Sequence, residues 1–327
     1  MRSTPSRRGA SRARGGPNRR SEPGARRGDD GDRVEIAIRK SRDSTAFFDC
    51  KRGTSGKLYR VAPAGFAGEV RVLKVTLLPS SVTPGAELNQ FLTTFLVDDC
   101  VAIDAGSLGL LGSTEAQARV KHVFLTHTHI DHIASLPIFV ENVFEVGSGC
   151  PTIYGGAEVL DCLQRDFFNG RVWPDFIGMS TPESPFLKLV LLEPGRPVEV
   201  EGLRITPISV DHLVPTIGVV IEGPGATVVI AGDTGPTEAI WRAANASPNL
   251  KGIFLEAAFP DELGWLADAS KHLTPRSFAG ELAKIQRGVP VYAVHIKPKF
   301  LDRVKAELAA LGLGEIRICL PGQPYEF

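Results

Sequence analysis

The chain has 327 residues, 43% of them apolar, with 37 basic and 37 acidic side chains. That length supports one large domain or two small ones, and no run approaches the roughly 18 apolar residues of a membrane span, which excludes a transmembrane protein. Five scattered cysteines form neither a disulfide framework nor a CxxC pair, and no apolar leader opens the sequence, so a reduced, cytoplasmic protein is expected.

Residues 1–33 carry ten arginines against four acids (Glu22, Asp29, Asp30 and Asp32) in a background of Ser, Gly and Pro. Such a segment cannot bury enough apolar surface to fold, and a disordered tail is predicted. Beyond it 27 basic and 33 acidic side chains remain, a net of −6, which argues against nucleic acid as the main partner of the folded part. Residues 34–68 form an extension without a clear pattern, where Val34–Ile38 and Leu58–Val61 are candidate strands. The main domain is expected over 69–327, and no internal repeat is visible.

Within that domain several short apolar runs read as buried strands, each stopping at a residue able to bind or support a metal. Val101–Ile103 ends at Asp104, Val123–Thr126 at His127, and Ile205–Val210 at Asp211 and His212. Thr227–Ile230 leads through Ala231 and Gly232 to Asp233, Ile253–Leu255 ends at Glu256, and Val289–Val294 ends at His295. Open α/β sheets gather ligands at strand C-terminal ends, so these endings predict one shared site.

Only seven histidines are present, and three fall within Thr126-His127-Thr128-His129-Ile130-Asp131-His132. In an extended segment, positions 127, 129 and 131 project to one side, with His132 at the following turn. That spacing can hold two cations, His127 and His129 on one, Asp131 and His132 on the other. Imidazole and carboxylate without thiolate suit zinc, manganese or iron. His122 precedes the strand and reads as an ordinary polar residue.

This HxHxDH element, followed by a distant His, an Asp after a strand and a late His, resembles the signature of the metallo-β-lactamase superfamily over about residues 69–327. The resemblance implies an α/β fold, an αββα sandwich with the metal site at one edge. By position, His127, His129 and His212 would bind a first metal and Asp131, His132 and His295 a second, with Asp131 counted among the catalytic residues. Asp233 would bridge the two, and Asp104 would orient a ligand. The cofactors implied are two divalent cations, zinc foremost, with manganese or iron as alternatives.

Phe254-Leu255-Glu256-Ala257-Ala258-Phe259, followed by Lys271-His272-Leu273-Thr274-Pro275, resembles the Glu and His pair of the superfamily's phosphodiesterase branches. A carboxylate that orients and charges an imidazole makes a proton donor for a leaving oxygen. The longer resemblance, through Leu92–Val97, Asp104–Ser107, Phe168–Phe176 and His295–Pro298, is to class II cyclic-nucleotide phosphodiesterases. It implies dinuclear hydrolysis of a cyclic 3′,5′-nucleotide or a similar small phosphodiester to a monophosphate, with a water activated between the cations. His272 would give the proton and Glu256 would support it. Asn169-Gly170 reads as a tight turn, and Asn169 and Trp173 are candidate substrate contacts on an aromatic flap. The partner implied is a small molecule, with no membrane and no nucleic acid for the core; a homodimer is left open.

The 68-residue amino-terminal extension and the Pro79–Gly85 loop depart from the family pattern. Other readings are a tRNA 3′-processing endonuclease, a glyoxalase II-like thioesterase, and a non-enzymatic RNA-binding scaffold using the Arg-rich tail. The endonuclease normally carries a long arm between the His and Asp equivalent to His212 and Asp233, which are 21 residues apart here. The scaffold should have lost ligands, and none is missing.

Overall fold

Alternation within the apolar runs sets the architecture. Val101 and Ile103 point to one side and Ala102 to the other, as the two-residue period of a strand requires; Val228 and Ile230 oppose Val229 in the same way. Strands buried on both faces need a layer against each face. The computed structural model, which describes residues 72–327 apart from 82, 84, 85 and 315, supplies those layers. The tail expected at 1–33 and the extension at 34–68, with its two candidate strands, lie outside the described residues.

One seven-stranded sheet contains β1 (Lys74–Leu77), β2 (Phe95–Val97), β3 (Val101–Ile103), β4 (His122–Phe124), β5 (Thr152–Gly155) and β6 (Lys188–Leu191). The second contains β7 (Val198–Val200), β8 (Leu203–Val210), β9 (Thr216–Gly223), β10 (Ala226–Ile230), β11 (Leu250–Glu256), β12 (Val291–Val294) and β13 (Ile316–Ile318). The last strand, β14 (Pro324–Glu326), returns to the first sheet. The strand orders are β14-β1-β2-β3-β4-β5-β6 and β13-β12-β11-β10-β9-β8-β7.

The inward faces of both sheets meet in a central apolar layer. Phe254 is fully buried there, its ring 5.4 Å from Phe95 of the facing sheet and 4.9 Å from Tyr292 of its own. Burying one such ring is worth about 1.5–3 kcal/mol. The outer face of the first sheet packs on helix Leu136–Val143 through Leu136, Phe139 and Val140. The outer face of the second packs on helices Ala239–Ala246, Pro275–Leu282 and Leu301–Ala310 through Trp241, Phe278 and Val304. The result is the αββα sandwich expected from the sequence. Among the described residues no helix is long and apolar enough to cross a membrane, and no disulfide is formed.

Candidate metal centre

The densest ligand segment follows β4. His127 and His129 lie in irregular chain, and His129 is the N-cap of a short helix, Ile130–Ile133. Asp131 therefore sits on a helical turn and not in the extended run that the alternation predicted, and His132 follows it on the same turn. This bend separates the segment into two pairs of donors. The bend is held by close backbone approach: Thr93 N–H donates to the Asp131 carbonyl at 2.8 Å, and Gly106 N–H to the Thr93 carbonyl at 2.9 Å. A Cβ on Gly106 would overlap the Asp131 carbonyl oxygen and come within 2.6 Å of Thr93 N, so glycine is required there.

Four groups of donors converge within 4.8 Å: His127–His129–His212, His127–His132–Asp233, Asp131–His132–His295 and His212–Asp233–His272. Asp233 is central, with Oδ2 at 3.9 Å from His127 Nε2, 3.3 Å from His132 Nε2 and 3.1 Å from His295 Nε2. All seven residues expected as ligands thus come together from four segments, those that follow β4, β8, β10 and β12.

Neighbouring groups decide which nitrogens face inward. His132 Nδ1–H donates to Asp104 Oδ2 at 2.7 Å, and His212 Nδ1–H to the Lys271 carbonyl at 3.0 Å. The single hydroxyl proton of Thr126 goes to Asp104, at 2.9–3.0 Å, so its oxygen accepts from His127 Nδ1–H at 2.9 Å. Each of these rings in its neutral form then presents an Nε2 lone pair, and those of His127 and His132 are buried without a hydrogen-bond partner. Buried lone pairs without donors are costly unless a cation takes them. The donor set, imidazole nitrogens with carboxylates, suits a borderline or hard divalent ion.

Electrostatics point the same way at three of these histidines and the opposite way at His132. Burial lowers the pKa of His127, His129 and His212, reinforced at His127 by its neighbouring histidines, which favours the neutral form that ligates. His132, between Asp233 and Asp104, is raised well above the ordinary value because the two carboxylates outweigh burial. Asp233 is held well below its ordinary value, burial being outweighed by His295 and His132.

A second element sits against this cluster. His272 Nδ1–H donates to Glu256 Oε1 at 2.7 Å. Glu256, fully buried at the end of β11, also accepts from Thr234 N–H at 2.8 Å and Leu273 N–H at 3.1 Å. The His272 ring lies 5.0 Å from that of His212 and 5.5 Å from that of His295. Its position follows from a turn: helix Gly264–Ser270 ends with Lys271 in the left-handed region, φ 56°, which sends the Lys271 carbonyl to His212 and the next side chain to the cluster. Burial would depress the His272 imidazole, but the Glu256 carboxylate outweighs it and the pKa is raised.

Asn169 sits in a local turn and Trp173 against the core. The turn forms, with Gly170 at φ 71°, but Asn169 Oδ1 accepts from the Arg171 and Val172 amides at 2.9 Å and Nδ2 donates to the Arg165 carbonyl at 3.0 Å. Those bonds are all local and build the turn itself. Trp173 packs against the outer core of the first sheet. Sequence reasoning missed Thr93, whose Oγ1 is 3.2 Å from His295 Nδ1, Gln90, whose Oε1 accepts from His295 N–H at 2.9 Å, and also Thr126, Lys271 and Lys297. Thr126 alone carried a signal, as a hydroxyl immediately before the HxHxDH element.

The profile of the Beta-lactamase superfamily domain matches residues 94–296, from β2 to the residue after His295. The chain belongs to the beta-lactamase superfamily. Among curated relatives, the probable 3',5'-cyclic-nucleotide phosphodiesterase of Yersinia pestis is 28% identical over 213 residues, 55% of this chain and 58% of that protein. The match therefore spans less than two thirds of that relative. A ribonuclease Z of Mycobacterium bovis is 29% identical over 199 residues, 53% of this chain and 67% of that one. Unliganded yeast PDE1 superposes with a TM-score of 0.63 at 19% identity, covering 77% of this chain and 99% of that one. The superfamily match takes in every donor from Asp104 to His295 and strands of both sheets, and the architecture is the metallo-β-lactamase fold.

Proposed function

We propose that the protein is a phosphodiesterase carrying two divalent cations, zinc foremost with manganese or iron as alternatives. It would open a cyclic 3′,5′-nucleotide or a similar small phosphodiester to a monophosphate. The observation that carries this reading is the buried His272–Glu256 pair set against the ligand cluster. Hydrolysis of a phosphodiester with a basic alkoxide leaving group requires a proton donor there.

His127, His129 and His212 would hold one cation, Asp131, His132 and His295 the other, and Asp233 both. Cations so bound supply Lewis-acid chemistry, activating water and polarising a phosphoryl oxygen. The chain's own residues do the rest. Asp104 fixes the His132 ring through Nδ1 and, through Thr126, the His127 ring. Glu256, itself held by two backbone amides, fixes His272 Nδ1–H and stabilises the imidazolium. That leaves Nε2–H to be given to the departing 3′ oxygen, and the pKa raised by Glu256 favours the protonated ring.

The relatives named for cyclic-nucleotide phosphodiesterase support this reading, and the ribonuclease Z relative supports RNA 3′ processing as a second one. Against the second, His212 and Asp233 are joined by β9, the two-residue turn Pro224–Gly225 and β10, which leaves no arm to grip tRNA. A panel of cyclic AMP, cyclic GMP, a thioester and a precursor tRNA, offered to metal-loaded protein, tests both. Release of a nucleoside 5′-monophosphate is expected; turnover of only the tRNA or the thioester would overturn the proposal.

A further inference from the structure

Lys297, two residues beyond His295, directs its ammonium into the donor cluster. Nζ lies 2.8 Å from His295 Nε2 and 3.3 Å from Asp131 Oδ2, and both atoms belong to residues of the Asp131–His132–His295 group. The imidazole nitrogen has one lone pair. It either accepts from the ammonium or binds a metal ion, and cannot do both. The two positive charges would also repel at this separation. The Lys297 side chain is 32% exposed, on a flexible stem, so it has a way out to solvent.

The His127–His129–His212 group differs. Among the described hydrogen bonds no cationic side chain reaches its ring nitrogens. Lys271, which neighbours it, gives His212 a backbone carbonyl and sends its own ammonium to Asp211 Oδ2 at 2.9 Å.

We propose that Lys297 is a resident cation of the Asp131–His132–His295 site, which an incoming metal ion must displace. The two sites consequently fill in sequence, the three-histidine site first, and Lys297 sets the affinity of the second step. The inference rests on the dinuclear reading above. Lys297 acts here on metal affinity and is not assigned a catalytic step.

Calorimetric titration of the metal-stripped full-length chain with zinc, with elemental analysis of the product, tests it on wild type, Lys297→Met and Lys297→Arg. Wild type should bind two zinc ions in unequal steps. Lys297→Met keeps the stem and loses the charge, so its second step should tighten by about tenfold, the scale of one partly exposed charge pair, with the first step unchanged. Lys297→Arg should stay near wild type. One zinc in wild type and two in Lys297→Met would support the proposal in its strongest form. Two steps with an unchanged or weaker second affinity in Lys297→Met would overturn it while leaving the dinuclear reading intact. One zinc in every protein would overturn both. Lys297→Gln serves as a second neutral variant if Lys297→Met does not fold.

Discussion

The two sheets follow one plan and load the site in different ways. Each has three antiparallel pairings followed by three parallel ones, β14 through β3 to β6 in the first and β7 through β10 to β13 in the second. The turns correspond as well. Asp104 follows β3 with its own φ at 63°, and Asp233 follows β10 after Gly232 at 70°. Yet the first sheet concentrates four donors in the single segment after β4, whereas the second scatters its residues: His212 after β8, Asp233 after β10, Glu256 at the end of β11 with His272 in the connection that follows, and His295 after β12. Neither of the two proposed cation sites is completed by one sheet alone: His127 and His129 need His212, and Asp131 and His132 need His295. The site therefore exists only when both sheets are folded and packed, so metal binding must add directly to stability.

The largest expected effect comes from removing the residue that touches both halves. Asp233→Ala leaves His127, His132 and His295 facing one another without the carboxylate that lies among them. Loss of both cations and of all turnover is expected, read by elemental analysis and by assay; two bound metals with full activity would show that the halves do not meet at Asp233. His127→Ala and Asp131→Ala, by contrast, should each empty mainly one side.

His272→Ala comes next, because it keeps the seven proposed ligands of both halves and removes only the proton. Hydrolysis of a cyclic nucleotide should slow by about 10²–10⁴-fold, the usual worth of general acid catalysis, with metal content intact. A nitrophenyl phosphodiester has a leaving group that needs little protonation and should lose much less. Equal losses on the two substrates would reassign His272 to phosphate binding.

Asp104→Asn sharpens the contrast between the two proposed cation sites. Asn accepts the positive φ of this position and retains one oxygen for Thr126, so the His127 side should keep its arrangement. With that oxygen turned to Thr126, the amide nitrogen faces His132 Nδ1 and cannot accept from it as the carboxylate does, which frees that ring to flip tautomer and lose the inward lone pair. Affinity at the His132 site should fall by about 10–100-fold, with the three-histidine site little changed. Parallel losses in a two-step titration would mean that Asp104 serves both equally.

What could be read from the sequence follows the same division. His127 to His132 were legible because their spacing is local, and His212, Asp233 and His295 because each closes an apolar strand. The helix that begins at Ile130 was not legible, since alternating polar residues imitate a strand. Thr93 and Gln90 act on His295 across 202 and 205 residues, a contact that no local pattern encodes. Asp104, Lys271 and His295 all adopt positive φ without a glycine to announce it. The shared plan of the sheets left no repeat in the sequence because pairing direction is set by backbone topology, which many apolar sequences satisfy. Asn169-Gly170 was legible as a turn, but the same side chain could not also be read as consumed by it.

His122 supplies the smallest effect and a control from outside the site. It opens β4, with Nδ1 3.1 Å from Tyr154 Oη and Nε2 3.5 Å from Glu201. Burial lowers its pKa, and the Glu201 charge offsets this only in part. Above the unfolded value of about 6.5 the ring is neutral in both states and contributes nothing to pH dependence. As pH falls below that value the unfolded chain takes up the proton first, and stability is lost until the folded ring titrates too. His122→Gln, neutral throughout, removes that loss. From about pH 6.5 downward the variant should gain on wild type by a small margin, since the ring is partly exposed and screened. Denaturant unfolding across this range measures the difference, and turnover and metal content should not change. If the two stability curves stay parallel, burial is not what governs His122; if a cation is lost, His122 belongs with the donors of the first sheet, and the line drawn between them is wrong.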